Sequence, residues 1–188
     1  GVLAASAAGF VDQSAELAYD AERARALLDA AGWKLQADGI RAKDGRPLVL
    51  STYESLNYVQ NRAVLQLVAQ QWAKVGVTLN VLSGDLGSKT IDSLDPEKIA
   101  LLPAMVGRAD PDVIKSNYYP TNRNLLLQKG GISQKVKSFA DHKLNSLFEA
   151  IAAEPDTARR LELTRQVQRY LLEQAYVIPL FEEPQIYA

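Results

Sequence analysis

Twice in this chain a helical apolar period is stopped by a glycine, and strand-like runs follow; that repeated step limits the fold more than any other feature. In the first, Asp20 can cap a helix on which Ala24, Leu27, Leu28 and Ala31 recur at helical spacing, and Gly32 ends it. In the second, Val64, Leu67, Val68 and Trp72 share one face of a helix predicted over 59–75, Gly76 stops it, and 77–82 reads as a strand. Between them, Asp38-Gly39 and Asp44-Gly45 are turn signals around a short extended segment at Ile40. Pro47 then leads the run Leu48 to Leu50, which continues through Thr52 to Tyr53 as a strand. Helices alternating with strands predict α/β layers, with ligand sites beyond the strand ends.

The second half is less regular. Residues 86–94 fit one short helix, and Asp95-Pro96-Glu97 a helix start or tight turn. A third buried strand is expected over 99–106, weakened by Pro103, which has no ladder donor. Residues 107–121 read as loop, 134–153 and 157–173 as helices, and 177–181 as a last strand interrupted by Pro179. The small apolar opening, 1–18, reads as a linker that has lost an upstream partner.

Composition narrows the chemistry. The balance of 21 basic to 22 acidic residues argues against a nucleic-acid partner, which needs clustered Lys and Arg. No apolar run reaches the ~18 residues of a membrane span. Zero cysteines remove disulfides, thiolate metal sites and cysteine nucleophiles, and His142 is the single histidine. Beside Asp141 on an expected helix, it reads as a surface or capping residue; no metal or cofactor is expected. No GxSxG, HExxH or phosphate-cradling glycine loop is present, so no enzyme is expected.

Five segments in order resemble the peptide-, dipeptide- and nickel-binding proteins of ABC importers, solute-binding family 5. They are Tyr19-Asp20-Ala21-Glu22-Arg23-Ala24 leading to Ala31-Gly32-Trp33, Asp38-Gly39-Ile40-Arg41 with Asp44-Gly45-Arg46-Pro47-Leu48, and Gln71-Trp72-Ala73-Lys74-Val75-Gly76-Val77. Gly107-Arg108-Ala109-Asp110-Pro111-Asp112 and the closing pair of helices before Val177-Ile178-Pro179-Leu180-Phe181 complete the set. Alanine at Ala21 and valine at Val113 depart from the family pattern. The resemblance implies one lobe, with a mixed sheet flanked by helices, of a two-lobed periplasmic-binding-protein type II fold, with 1–18 the linker from a missing upstream lobe and 19–188 the C-terminal substrate-binding lobe. It also implies a periplasmic or extracytoplasmic location, free or lipid-anchored, and three partners: a peptide or other small-molecule ligand, the N-terminal lobe of the same chain, and an ABC permease. Relatives take up peptides, nickel complexes, opines and sugars, so the ligand stays open.

Asp110 matches the family aspartate that receives a peptide amino terminus; Asp112 offers a second carboxylate and Arg108 a bidentate fork for a ligand carboxylate. The opposing reading of Asp110-Pro111-Asp112 is plain turn chemistry. Asn117, Tyr118 and Tyr119 could form an aromatic and hydrogen-bonding wall, or cover the loop against its own unit. Tyr53, Asn57 and Tyr58 follow the first strand, a position that lines the cleft in relatives. Trp33 and Trp72 fit packing, and the charges from Glu149 to Glu162 fit a solvated helix face. The rival to transport is an adapted stand-alone sensor or interaction domain.

Overall fold

The computed structural model describes residues 2–54, 61–84, 95, 98–101, 103, 112–119 and 141–182. They fall into two units, one of strands with two helices between 19 and 103, the other mainly helical and gathering 2–18, 112–119 and 141–182.

In the sheet unit, α1 (Ala21–Ala30) begins where Asp20 accepts the Arg23 amide at 2.8 Å, and Gly32 turns the chain out at φ 87°. Three short antiparallel strands follow, β1 (Lys34–Leu35), β2 (Arg41–Lys43) and β3 (Arg46–Pro47). Asp44 and Gly45 both sit at positive φ, 52° and 76°, the mirror-image turn whose twist suits a two-residue hairpin. Next, β4 (Val49–Tyr53) runs parallel to β5 (Thr78–Leu82), with Val49 opposite Thr78 and Tyr53 opposite Leu82. Parallel neighbours need a crossover, and α2 (Asn61–Ala73) lies within it. Of the expected strand at 99–106, the described part makes one parallel bridge, Leu101 to Thr52, beside an Ala100 amide bond to the Ser51 carbonyl at 3.1 Å.

Two expectations about helix faces change. On α2 the buried residues are Asn61 and Leu65, while Leu67 is 59% exposed. The inward face therefore runs through Asn61, Val64, Leu65, Val68 and Trp72 at helical spacing. α1 buries no residue at all, and its Leu27 is 61% exposed. What ties α1 down is polar. Arg41, 3% exposed, donates from Nη1 to Asp29 Oδ1 at 2.8 Å and to the Trp33 carbonyl at 2.6 Å, and from Nε to the Val75 carbonyl at 2.8 Å. Its own amide donates to the Gly76 carbonyl at 2.8 Å. One guanidinium thus joins the ends of α1 and α2 to the hairpin, and its hydrogen bond holds the Asp29 carboxyl below the usual range.

The helical unit contains α3 (Asp112–Tyr118), α4 (His142–Ala153) and α5 (Thr157–Glu173). Asp141 and Asp156 cap α4 and α5, each accepting the amide three residues on. Thr164, Val167, Gln168 and Leu171 form the buried face of α5 and meet Leu144 and Phe148 of α4 and Val113, Ile114 and Tyr118 of α3. Val2, Leu3 and Ala7 complete this core, and Gln168 Nε2 donates to the Gly9 carbonyl at 2.7 Å. The opening segment, expected as a linker, is thus built into the core. Its small apolar residues fill space between larger ones, which composition alone does not distinguish from a tether.

Two expected elements are corrected here. Residues 112–118, expected within a loop, are helical: Val113, Ile114 and Tyr118 lie on one helical face and bury together. Residues 177–181, expected as a strand, form neither helix nor strand; Pro179 removes a donor, and Ile178, Leu180 and Phe181 remain about half exposed (49–52%). Residues 86–94 and the start of the helix expected at 134 lie outside the described residues.

Candidate functional site

The carboxyl ends of parallel strands are where open α/β sheets present side chains to ligands. Here β4 delivers Tyr53 and Glu54, β5 delivers Ser83 and Gly84 just past Leu82, and the Glu54 amide bonds the Leu82 carbonyl at 3.0 Å. Tyr53 is 6% exposed. Its ring lies against Gly84 so closely that a Cβ there would stand 2.8 Å from Cε1, so this position has no room for a side chain.

At the same strand ends is a charged triangle. Arg62, in the first turn of α2, directs Nη1 to Glu54 Oε1 and Oε2 at 3.4 and 3.3 Å and to the Ser83 hydroxyl oxygen. The Ser83 hydroxyl in turn bonds the Glu54 carboxylate. That bond, ahead of the opposing effect of desolvation and then aided by Arg62, keeps the Glu54 carboxyl below its ordinary value. The Arg62 side chain is 49% exposed. All of its contacts use Nη1, leaving the Nε–Nη2 edge, the side-on fork that pairs with a planar carboxylate, turned to no protein partner among the described residues. The arrangement orients a cation before any ligand arrives. Sequence reading passed over it because Glu54 and Ser83 stand 8 and 21 residues from Arg62.

The residues singled out from sequence separate. Tyr53 lies in the sheet unit. Asp112, Asn117 and Tyr118 share α3 in the helical unit. Asp112 is exposed in the first helical turn, where a carboxylate also suits the helix dipole, and Asn117 is half-buried. Tyr118 is 3% exposed inside the apolar core, and burial pushes its hydroxyl up to about 12. Tyr119 packs edge-on against Phe148 at 5.5 Å, with Lys115 Nζ 5.5 Å from its ring centre. Asn57, Tyr58, Arg108 and Asp110 lie outside the described residues.

A second polar cluster went unread. Asp141 Oδ2 accepts both the Tyr170 and Tyr176 hydroxyls at 2.8 Å, while Oδ1 caps α4. Burial raises the Asp141 carboxyl, but the bonds from the Leu144 amide, Tyr176, Tyr170 and the Lys143 amide outweigh it and leave it lowered. Partial burial and the same carboxylate push Tyr176 up to about 12. His142 is exposed, as the first residue of α4. Among the described residues no three His, Cys, Asp or Glu side chains gather as a metal site, and no helix is long and apolar enough to cross a membrane. Trp33, Lys43, Asp44 and Arg46 line a wide, open depression of about 540 Å³.

Parallel strands joined across a helix, with an oriented cation at their carboxyl ends, define an open α/β sheet unit. The chain belongs to the bacterial extracellular solute-binding proteins, family 5, whose middle region matches residues 2–141. It is 25% identical over 186 residues to the oligopeptide-binding protein OppA of Mycobacterium bovis, covering 97% of this chain and 29% of that protein. Among solved structures it is similar to NikZ from Campylobacter jejuni in complex with Ni(L-His), with TM-score 0.65 and 20% identity over 84% of this chain and 31% of that one. Lactococcal OppA, complexed with an endogenous peptide in the closed conformation, gives TM-score 0.64 and 22% identity over 85% of this chain and 30% of that one. The fold is one lobe of the two-lobed periplasmic-binding-protein architecture. The chain spans 29% of that curated relative and about 30% of each of those two structures.

Proposed function

We propose that this chain is the ligand-binding lobe of an extracytoplasmic receptor that captures a peptide and hands it to an ABC permease. The single observation that carries the reading is Arg62, held at the strand ends by Glu54 and Ser83 with an open guanidinium edge. A peptide's terminal carboxylate fits that edge in bidentate fashion. The peptide class rests on the M. bovis and lactococcal relatives, both named for oligopeptide binding or solved with a peptide. NikZ, solved with Ni(L-His), marks the alternative of a smaller ligand.

In this reading Asp110 takes the ligand's amino group and Arg108 a second carboxylate. Asp112, Asn117 and Asn57 supply hydrogen bonds, and Tyr53 and Tyr118 support them as packed rings. Capture works by hinge closure against a second lobe: contacts made only in the closed form shift the population toward it, and the permease reads that form. No bond in the ligand is broken. A hydrolase would release fragments; this receptor returns its ligand unchanged.

The test is calorimetric titration of the natively expressed protein with a short-peptide library, each peptide supplied with a free or an amidated carboxyl terminus. Free-terminus peptides bind more tightly, and Arg62→Gln removes that preference with a ~10–100-fold loss, the range for hydrogen bonds to a charged group. Asp110→Ala weakens binding of peptides with a free amino terminus. Mass spectrometry recovers the ligand intact. Equal affinity for acid and amide in both Arg62 forms would remove the carboxylate reading; absence of all peptide binding would remove the peptide receptor itself.

A further inference from the structure

The carboxyl end of α5 carries an unusual strain. Ala175 and Tyr176 return their amides to the carbonyls of Leu172 and Leu171, each at 2.9 Å, closing the helix with a reversed turn. That turn needs a left-handed residue, ordinarily glycine, yet Ala175 occupies it at φ 53°. Something beyond local preference must hold it there. The next residue supplies the hold: the Tyr176 hydroxyl bonds Asp141 Oδ2 at 2.8 Å, and its ring stands edge-on to Tyr170, 6.4 Å away at 81°. Tyr170 bonds the same oxygen, also at 2.8 Å, with Lys143 Nζ 4.5 Å from its ring centre. Beyond this point the chain runs without helix or strand through residues 177–182, where Glu182 Oε1 accepts the Ala5 amide at 2.7 Å.

We infer that Asp141 and Tyr176 form a latch that holds a strained backbone at Ala175 and thereby sets the direction in which residues 177–182 leave α5. The same carboxylate starts α4, so the latch indexes the departing segment to the frame of the helix pair. With the latch open, Ala175 relaxes to right-handed geometry, Glu182 loses its register with Ala5, and the half-exposed Ile178, Leu180 and Phe181 are released.

Amide hydrogen exchange on the natively expressed protein tests this, comparing the wild type with Tyr176→Phe and Asp141→Asn. Phenylalanine keeps the ring and asparagine keeps a helix cap, so both variants preserve packing and α4 initiation. Exchange at the amides of residues 5, 175 and 176, which close the turn and meet Glu182, rises at least tenfold in both, while the amides of Val167 and Leu171 keep their protection. In an Ala175→Gly background, where the left-handed geometry carries no strain, the Tyr176→Phe effect shrinks to less than threefold. Unchanged exchange at residues 5, 175 and 176 in both single variants overturns the latch. So does a rise spread evenly over α4 and α5, which would make Asp141 a general stability residue, or an undiminished Tyr176→Phe effect in the Ala175→Gly background.

Discussion

The two units solve the same problem with opposite materials. The helical unit closes around Phe148, Leu144, Val167 and Leu171, all at most 1% exposed, with even its opening segment drawn into the apolar core. The sheet unit buries fewer large side chains and leaves α1 without a buried residue; Arg41 gathers its helix ends through hydrogen bonds instead. Apolar packing is non-directional and tolerates repacking, whereas a guanidinium fork works in one geometry. The unit organised by directional bonds is also the one that holds Arg62 oriented at its strand ends.

The sharpest break of that contrast is Phe148→Ala. It should cost the helical unit about 4 kcal/mol through lost transfer energy and the cavity left behind. Both tryptophans, Trp33 and Trp72, lie in the sheet unit, so indole fluorescence follows that unit and amide exchange in α4 and α5 follows the other. In urea, Phe148→Ala lowers protection in the helices more than it lowers the fluorescence midpoint; equal shifts would mean the units unfold as one.

Arg41→Met is the converse. It strands the Trp33 and Val75 carbonyls, at a cost of about 3 kcal/mol, and the fluorescence midpoint falls first. Arg41→Lys recovers only part, because an ammonium cannot span three acceptors in a plane.

A smaller effect is expected from Gly76→Ala, about 2 kcal/mol in the same direction. The residue sits at φ 84°, and a Cβ there would lie 2.8 Å from Arg41 Cγ and 2.9 Å from Leu35 Cδ1.

Acid gives the mildest separation. The Asp141 carboxyl is lowered in the folded chain, so its contribution is fully present above its ordinary 3.8 and is lost as pH falls below that through the folded value. Asp29 behaves likewise in the sheet unit through its bond from Arg41. Asp141→Asn should flatten the acid limb of amide exchange at residues 5, 175 and 176 alone, and Asp29→Asn that of the fluorescence midpoint alone. If either substitution flattens both limbs, the two units share one acid transition.

What the sequence disclosed follows distance along the chain. Asp20, Gly32, the Asp44-Gly45 turn and the bounds of α5 are local chemistry and were legible. α3 was not, because seven residues beside prolines and tyrosines resemble a loop until Val113, Ile114 and Tyr118 find a core. The closing strand was misread for the reverse reason: an apolar run suggests a ladder, and only the folded backbone, neither helix nor strand there, denies it. Arg41, the Glu54–Arg62–Ser83 triangle and the Asp141 cluster escaped altogether, since each is made by residues that meet only after folding. Tyr53 and Tyr118 were noticed as cleft candidates, yet the fold hides both rings.

The bond from Gln168 to Gly9 spans 159 residues, and that from Ala5 to Glu182 spans 177. Delivered amino end first, the described strands and helices of the sheet unit arrive as one continuous stretch and can pair as they appear. The helical unit cannot: Val2 and Leu3 arrive before the sheet unit and wait for Val167 and Leu171, which follow only after it. For that interval an apolar segment stands unsatisfied, and the order of arrival lets the sheet unit finish before the helical one can close.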